Sequence, residues 1–262
     1  MKVGIIGYGV VGGAIGQCLK EAGLDVVPYD KYKKIGSYEQ VCQTDLIFVS
    51  VPTPTVDGLQ DLSPLQDVLL NLSMHNYANT VVIKCTVLPG TCDMMQDQYP
   101  NLILAHNPEF LTERNAAKDF QNQAFVPLSA RKPEATASVI KMFDIALPKA
   151  ACIVYLDFKT TELGKYIHNT FLATKVSFMN EIYDYCQFKN INYNNALSVA
   201  TLQGVIGQSH TKVPGPDGSR GYGGMCFPKD TSALINQPGS AEILTVLGAA
   251  VNANKRFRPD GQ

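Results

Sequence analysis

A glycine-rich turn near the N-terminus constrains the fold of this chain more than any other sequence feature. Lys2–Gly7 is a β-branched apolar run that predicts a strand, and it leads directly into Gly7-Tyr8-Gly9-Val10-Val11-Gly12. Apolar spacing then predicts a helix over Val11–Ala22, and Asp25–Tyr29 predicts a second strand. Asp30 follows that strand, 18 residues after Gly12. A strand–helix–strand unit with a GxGxxG turn and a following acid is typical of dinucleotide binding.

Each part of this turn has a physical role in holding a dinucleotide. Gly7 permits the tight turn, Gly9 lets the backbone approach a pyrophosphate, and Gly12 lets the helix pack closely on the strand. The helix N-terminus at Val11 then presents its partial positive charge to the phosphates. Asp30 would accept hydrogen bonds from a ribose hydroxyl and repel a 2′-phosphate, so we expect NAD as the cofactor. A glycine turn alone is weak evidence, but here the strand, the helix and the acid accompany it.

Strand and helix patterns continue to alternate up to residue 157, which predicts a Rossmann-like α/β fold with a doubly wound parallel sheet. The further predicted elements are the strands Asp45–Val51, Val81–Lys84, Leu102–Ala105 and Cys152–Tyr155 and the helices Ser63–Leu72, with Ser63 as its N-cap, and Pro133–Phe143. Ligands of such sheets bind at the carboxyl ends of the strands. We therefore expect one crevice in a cofactor domain of residues 1–157, lined by the loops Gly7–Gly12, Pro52–Pro54, Cys85–Gly90 and His106–Glu113.

Residues 158–262 predict a second, helical domain with one long central helix. Thr161–Cys186 lacks proline, and apolar side chains recur at helical spacing along its 26 residues. Because its apolar positions exceed what an exposed connector needs, we expect a homodimer formed through this helix. Lys165 and Asn169 lie four residues apart, and hence on one face. Taken alone, that pair is better explained as a solvated polar stripe than as a site.

The segment Val213–Asp230 combines five glycines and three prolines with one cysteine. Such a permissive backbone around a thiol predicts a loop that closes over a ligand. Pro228 predicts the start of a helix, which would place Cys226 just before a helix N-terminus, with Lys229 nearby. Both features favour a thiolate, so Cys226 is a candidate nucleophile, whereas the other six cysteines are interpreted as inert.

Composition disfavours several other classes of protein. The formal net charge of −1 leaves no electrostatic footprint for nucleic acid or an anionic membrane surface. The longest apolar runs are too short to span a bilayer, and the N-terminus lacks a signal-peptide pattern. Seven cysteines without CxxC spacing suggest neither a disulfide framework nor a zinc site. We therefore expect a cytoplasmic protein that binds no metal ion, no nucleic acid and no membrane.

Six motifs along nearly the whole chain resemble those of the UDP-glucose/GDP-mannose dehydrogenase family, in the same order. They are GYGVVG (7–12), VPTP (51–54), TVLPGT (86–91), NPEFLTE (107–113), ELGKYIHNTFLATKVSFMNE (162–181) and GYGGMCFPKD (221–230). The last two motifs are highly specific. CFPKD resembles the UDP-glucose 6-dehydrogenase branch more than the branches for GDP-mannose or UDP-N-acetylmannosamine.

The resemblance implies a four-electron oxidation of UDP-glucose to UDP-glucuronate with two NAD. Cys226 would attack the intermediate aldehyde, and the thiohemiacetal would be oxidised to a thioester that water hydrolyses. The implied catalytic residues are Cys226, Lys165, Asn169, Asp230, Glu113 and Thr86. The implied cofactor contacts are Gly7, Gly9, Val11, Gly12, Asp30, Thr53, Thr86, Glu113 and Lys229. The implied substrate contacts are Glu109, Phe110, Leu111, Glu113, Lys165, Asn169, Tyr222, Gly223 and Cys226.

The resemblance also implies a role for each catalytic side chain. Lys165 would stabilise the alkoxide and the oxyanion, with Asn169 as its hydrogen-bonding partner. Asp230 would position or activate water, and Glu113 and Thr86 would handle a proton through ordered water.

The chain departs from the family pattern in its length. Family members usually carry a third domain that holds the uridine diphosphate, whereas this chain ends 36 residues after Cys226, so we expect that domain to be absent. An arginine usual in the family is replaced by Val205. Two alternatives stay open: an NAD-binding fragment or split subunit that is inactive alone, and a 3-hydroxyacid dehydrogenase that transfers one hydride and needs no cysteine.

Overall fold

The structure, a computed structural model, describes residues 1–147 and 152–259, with the backbone but not the side chain of Glu113. The described chain forms two compact units. The first contains Met1–Pro54 and Gln60–Lys165, and the second contains Thr55–Leu59 and the described residues from Tyr166 onward. Within the described ranges, every helix is too short or too polar to cross a lipid bilayer. The domain boundary predicted at residue 157 stays a prediction.

The first unit is built on a seven-stranded sheet. The strands of the described residues are β1 (Lys2–Ile6), β2 (Asp25–Tyr29), β3 (Leu46–Val49), β4 (Thr55–Val56), β5 (Leu59–Gln60), β6 (Thr80–Ile83), β7 (Ile103–His106), β8 (Phe125–Ala130) and β9 (Cys152–Leu156). The sheet has the order β2-β1-β3-β6-β7-β8-β9, and β4 and β5 form a separate two-stranded hairpin. Neighbouring strands of the sheet are parallel except β7 and β8, so the predicted Rossmann-like α/β fold is confirmed as mostly parallel.

Strand β8 corrects the prediction of a fully parallel sheet. It runs antiparallel to β7 and pairs with it through only two residue pairs, whereas it pairs along five with β9. The residue pattern did not predict this strand, because Pro127 and the small residues after Leu128 interrupt its apolar run. The sheet therefore reverses direction once, beyond the strands whose loops were predicted to line the crevice.

Helices cover both faces of this sheet. They are α1 (Val10–Glu21), α2 (Tyr38–Val41), α3 (Ser63–Met74), α4 (Thr91–Gln98), α5 (Ala116–Gln121) and α6 (Pro133–Ala146). Alternate residues of one strand enter different cores: Ile5 packs with residues of α1 and α6, and Ile6 packs with residues of α3 and α4. Burial on both faces explains why the strands are continuous apolar runs rather than alternating ones.

The start of α3 corrects a second prediction. Ser63 is the first residue of the helix, and Leu62 occupies the N-cap position without a side-chain hydrogen bond. Asp61 instead accepts a hydrogen bond from the Ser63 backbone N–H at 2.9 Å. The predicted serine cap was wrong by one residue because the acid two positions upstream satisfies this N–H group.

The predicted long helix is confirmed as α7 (Phe158–Phe188), which has 31 residues. It begins earlier than predicted because Asp157 accepts hydrogen bonds from the backbone N–H and the hydroxyl of Thr160, as an N-cap does. The second unit contains most of α7, the β4–β5 hairpin except Gln60, and four shorter helices. These helices are α8 (Tyr193–Thr201), α9 (Phe227–Ile235), α10 (Ser240–Ile243) and α11 (Thr245–Phe257).

Candidate active site

The glycine turn after β1 adopts a backbone that only glycine allows at two of its positions. Gly7 has a φ of +85°, and a Cβ there would lie 2.6 Å from the carbonyl oxygen of Ser50. A Cβ on Gly12 would lie 2.1 Å from the carbonyl oxygen of Gly7. By contrast, the space around Gly9, the N-cap of α1, is open. A phosphate can therefore approach the backbone at Gly9 and the N-terminus of α1 closely.

Asp30 stabilises the turn from the end of β2. Its Oδ2 accepts the backbone N–H of Tyr8 at 2.9 Å. Its Oδ1 accepts the backbone N–H groups of Tyr32 at 3.0 Å and Lys33 at 2.9 Å. A carboxylate has about four acceptor sites, so capacity remains for a ribose hydroxyl. Asp30, predicted as a cofactor contact, therefore also stabilises the backbone of the glycine turn through Tyr8.

A cleft opens at the carboxyl ends of β1, β2 and β3. Its cavity volume is about 310 Å³, and its lining includes Gly7, Asp30, Tyr38, Pro52 and Asp67. Two of these residues, Gly7 and Asp30, were predicted cofactor contacts. The position agrees with the rule that open α/β sheets bind ligands at their strand carboxyl ends.

The loops after β3 and β6 are joined at the backbone carbonyl of Thr86. The Thr53 hydroxyl donates to this carbonyl at 2.7 Å, and the side-chain amide of Gln60 donates to it at 2.9 Å. Gln60 also accepts the backbone N–H of Leu88 at 3.0 Å. The structure thus joins the predicted residues Thr53 and Thr86 by a direct hydrogen bond, and Gln60, which sequence reasoning missed, is a second donor to the same carbonyl.

Lys165 and Glu109 form a buried ion pair at the carboxyl end of the sheet. Lys165 Nζ lies 3.2 Å from Glu109 Oε1, and the two side chains are only 5% and 12% exposed. Lys165 also lies over the ring of Phe110, 5.2 Å from its centre. The other carboxylate oxygen of Glu109 accepts the backbone N–H of Leu111 at 2.7 Å. All four of these residues were predicted to contact the substrate.

Lys84 is a buried lysine that sequence reasoning did not select. It follows β6 directly, is 3% exposed and donates to Asn107 Oδ1 at 2.7 Å. Burial lowers the pKa of Lys84 to about 7; Glu109 opposes this shift, and Lys165 adds to it. A charged residue that ends an otherwise apolar, buried strand was the signal available in the sequence.

A buried polar network joins the sheet to the first turn of α7. His106 Nδ1 lies 2.8 Å from the hydroxyl of Thr161, which lies 2.7 Å from the hydroxyl of Ser129. Burial lowers the pKa of His106 to about 3, so its ring is neutral near pH 7. Nearby on α7, the buried carboxylate of Glu162 accepts the backbone N–H groups of Gly90 and Cys92, each at 2.6 Å.

In the second unit, Asp230 is the centre of a buried hydrogen-bonded group. Its Oδ2 accepts Nδ2 of Asn169 at 2.6 Å, and its Oδ1 accepts Nζ of Lys229 at 2.5 Å. Asp230 is 1% exposed. Cys226 is exposed and lies at the N-cap of α9, which confirms the prediction that a helix starts just after this cysteine. The hydroxyl of Thr55, in β4, donates to the carbonyl of Lys229 at 2.9 Å.

Asn254 holds the glycine-rich loop that precedes Cys226. Its Oδ1 accepts the backbone N–H of Tyr222 at 2.7 Å, and its Nδ2 donates to the Tyr222 carbonyl at 2.9 Å. Gly221 has a φ of +68°, and a Cβ there would lie 2.5 Å from Asn254 Oδ1. The predicted residue Tyr222 is buried, and Gly223 follows it in the loop. Asn254 lies 32 residues away in sequence, so no local signal linked it to the loop.

The side chain of Glu113, predicted as a catalytic, cofactor and substrate contact, lies outside the described residues. The other predicted site residues are described in their own units. Lys165, Glu109, Phe110, Leu111, Thr53, Thr86 and the glycine turn belong to the first unit, and Asn169, Tyr222, Gly223, Cys226, Lys229 and Asp230 belong to the second.

Comparison with known families matches most of the chain to two domains of one family. Residues 31–146 match the NAD binding domain of the UDP-glucose/GDP-mannose dehydrogenase family. Residues 159–256 match the central domain of the same family. NAD is therefore the cofactor of the first unit, as the glycine turn and Asp30 predicted.

Individual relatives agree with this result. The chain is 33% identical to a UDP-glucose 6-dehydrogenase of Rickettsia prowazekii, over 82% of this chain and 50% of that protein. It is 30% identical to a UDP-glucose 6-dehydrogenase of Rhizobium meliloti, over 98% of this chain and 68% of that protein. The chain thus spans about half the length of the first of these relatives and two thirds of the second.

A solved structure shares the fold. A UDP-glucose dehydrogenase from Pyrobaculum islandicum superposes with a TM-score of 0.84, covering 97% of this chain and 68% of that one. Its sequence identity is 24%, so this likeness supports the fold alone.

Proposed function

Because the chain belongs to the UDP-glucose/GDP-mannose dehydrogenase family, we propose that it oxidises the primary alcohol of UDP-glucose to the carboxylate of UDP-glucuronate. The observation that carries the proposal is the group at the start of α9. An exposed thiol at Cys226 lies four residues before a buried carboxylate, Asp230, that is hydrogen-bonded to Asn169. A nucleophile followed by a carboxylate able to act on water suits a reaction with a covalent intermediate.

The first unit supplies the cofactor site. The pyrophosphate would lie on the open backbone at Gly9 and on the helix N-terminus at Val11. Asp30 would accept a ribose hydroxyl, and Thr53 and Thr86 would border the cofactor further along the sheet edge. Lys229, in the second unit, is the remaining proposed cofactor contact. NAD supplies the hydride acceptor in each of the two oxidations.

Lys165 would act on the alcohol in the first oxidation. Its ammonium group forms an ion pair with Glu109, and its three N–H donors allow it also to donate a hydrogen bond to the substrate oxygen. Stabilising the developing alkoxide lowers the barrier to loss of the hydride from the carbon, which leaves an aldehyde. Glu109, Phe110, Leu111, Tyr222 and Gly223 are the proposed contacts of the sugar nucleotide.

Cys226 would act on that aldehyde. Its thiolate adds to the carbonyl carbon, and the thiohemiacetal loses a second hydride to become a thioester. The N-cap position of Cys226 favours the thiolate, because the helix dipole stabilises negative charge there. The side-chain amide of Asn169 has two N–H bonds; one goes to Asp230, and the other would stabilise the oxyanion.

Asp230 would complete the cycle by activating water. Water attacks the thioester, its proton passes to the carboxylate, and the C–S bond breaks to release the carboxylate product and the Cys226 thiolate. Asn169 and Lys229 hold the two oxygens of Asp230 in place, and each oxygen retains acceptor capacity. Thr86 and Glu113 are proposed to transfer a proton through ordered water.

A stoichiometric assay tests this function. The purified chain should form two NADH per UDP-glucose, and Cys226→Ser should stop at or before the second hydride. Cys152→Ser removes another exposed thiol, and we expect it to keep full activity. No NADH from any sugar nucleotide would overturn the proposal.

Two further measurements separate the two alternatives. Binding of NAD without binding of UDP-glucose, measured by calorimetry, would favour a chain that binds the cofactor and acts only with a further uridine-binding domain. Turnover of a small hydroxyacid that survives Cys226→Ala would favour a single-step dehydrogenase.

We further propose a homodimer formed through α7. Its exposed side chains include Leu163, Ile167, Phe171 and Phe178, three of which are more than half exposed. Their spacing of four, four and seven residues forms an apolar stripe along the helix. Light scattering should give twice the monomer mass for the native chain and the monomer mass for Phe171→Asp. A native monomer would overturn this assignment.

We also propose that the protein is cytoplasmic. All seven cysteines are thiols, which fits a reducing compartment. Recovery of the tagged chain from its host in an oxidising compartment, with disulfides formed, would contradict this location.

A further inference from the structure

Lys84 is hydrogen-bonded to the loop that follows β7 and carries Glu109. Its Nζ donates to Asn107 Oδ1 at 2.7 Å, and Nδ2 of Asn107 donates to the carbonyl of Pro127 at 2.7 Å. Asn107 is 1% exposed, so its amide is fixed between the end of β6 and strand β8. Pro108 follows Asn107 and restricts the backbone before Glu109. The position of Glu109 therefore depends on how Asn107 is held.

Electrostatic interactions also connect Lys84 to the Glu109–Lys165 ion pair. The charged groups that act on it are Glu109, which attracts its ammonium, and Lys165, which repels it. His106, on the adjacent strand, is neutral near pH 7 and so adds no charge there. Glu109 thus forms an ion pair with Lys165 and also attracts the ammonium group of Lys84. Burying an ammonium group without its own counter-ion is costly, so stability alone does not explain a lysine at this position.

We propose that Lys84 is a positioning residue of the active site, which holds Asn107 and thereby fixes the backbone from which Glu109 reaches Lys165. The assignment rests on the function proposed above, in which Lys165 binds the substrate oxygen. Lys84 itself touches neither substrate nor cofactor in this role. Its loss would misplace the Glu109–Lys165 pair, and small misplacements of catalytic groups reduce rates strongly.

The first test measures turnover. Lys84→Met should lower kcat for NADH formation by about tenfold to a hundredfold and leave the KM for NAD within about twofold. Lys132→Met is the matched control, because Lys132 donates to the carbonyls of Pro100 and Leu102 in the same unit, away from Lys165. We expect it to cost stability without changing kcat. An unchanged kcat in Lys84→Met, with the native chain active, would overturn the proposal.

The second test does not depend on turnover. With [¹³Cε]lysine in the full chain, the resonance that disappears in Lys84→Met should titrate with a midpoint near pH 7. Glu109→Gln should lower that midpoint, since the carboxylate that raises the pKa of Lys84 is removed. A midpoint that does not move would overturn the proposal even if the chain oxidises UDP-glucose. A shifted midpoint in a chain without turnover would support the link between Lys84 and Glu109 and count only against the proposed function.

Discussion

Asn169 donates a hydrogen bond from Nδ2 to Oδ2 of Asp230 at 2.6 Å, although the two residues are 61 positions apart. Lys229 holds the second oxygen of the same carboxylate. Two donors therefore face the two oxygens of one buried group. An amide in place of Asp230 offers only one oxygen, so its NH₂ group would face one of these donors.

This arrangement predicts the effect of Asp230→Asn. The variant should lose steady-state turnover by about 10²–10⁴-fold, the range expected when a general base is removed. In the proposed mechanism both hydride transfers precede the step assigned to Asp230, so a burst of two NADH per site should remain, and mass spectrometry should detect a thioester on Cys226. Asp184→Asn, in a partly exposed ion pair with Arg220, is the matched control and should keep native turnover. Native turnover in Asp230→Asn would contradict this role of the carboxylate.

Replacing either of two neighbouring glycines, Gly12 and Gly13, by alanine should have opposite effects on the protein. Gly12→Ala should abolish NAD binding, because its Cβ would lie 2.1 Å from the carbonyl oxygen of Gly7 and displace the turn. Gly13→Ala meets open space one residue later in α1, and should stabilise the helix by about 0.5–1 kcal/mol. Calorimetry with NAD and urea unfolding would measure both effects. Equal NAD affinity in the two variants would show that the turn does not bind the cofactor.

His106 predicts a pH dependence of stability. Its pKa falls from an ordinary value of 6.5 to about 3 in the folded chain because the ring is buried. As the pH falls from 6.5 to 3, the unfolded chain takes up a proton that folded His106 does not, so the folded state loses stability. The loss from this group approaches about 1.4 kcal/mol per pH unit.

Urea unfolding between pH 3 and 7 would measure this dependence. His106→Gln should show a shallower loss of stability than the native chain, since its side chain does not titrate. His75→Gln, at an exposed histidine, is the control for the substitution itself. Parallel curves for His106→Gln and the native chain would be inconsistent with a buried neutral ring.

Substitution of Glu162 should reduce the free energy of unfolding. Its carboxylate is buried and accepts the N–H groups of Gly90 and Cys92 at the start of α4. Glu162→Gln replaces one accepting oxygen by a donor, so one buried N–H loses its partner, at a cost of about 2 kcal/mol or more in the free energy of unfolding. Glu134→Gln, at an exposed acid in the first turn of α6, should change stability by about 0.5 kcal/mol at most. A Glu162→Gln variant as stable as the native chain would show that these bonds contribute little.

Local patterns in the sequence were enough for much of the fold. The glycine turn, α1 and β2 depend on backbone conformation and on the spacing of apolar residues, which neighbouring positions already show. The same holds for the start of α9, where Pro228 lies in the first turn after Cys226. Local residue patterns did not predict strand β8 or the β4–β5 hairpin, because β8 contains a proline and the hairpin strands have two residues each.

For the candidate site, too, some features could be predicted from the sequence and others could not. The proposed roles of Cys226, Lys165, Asn169 and Asp230 could be predicted, because these residue types stand in specific motifs. Their partners could not. Lys84 meets Asn107 across 23 positions, and Glu162 meets Gly90 across 72.

The amino-acid sequence alone was sufficient to identify the cofactor class and many of the elements of the fold, and to predict Cys226 as the nucleophile, since each of these depends on residues close together along the chain. Only the tertiary structure showed which buried charges pair, as Lys165 does with Glu109, and which backbone N–H groups donate to a buried carboxylate, as those of Gly90 and Cys92 do to Glu162. The physical reason is desolvation: a buried Lys84, His106 or Glu162 must find its partner inside the protein, and the order of strands in the sheet determines which partner lies within reach.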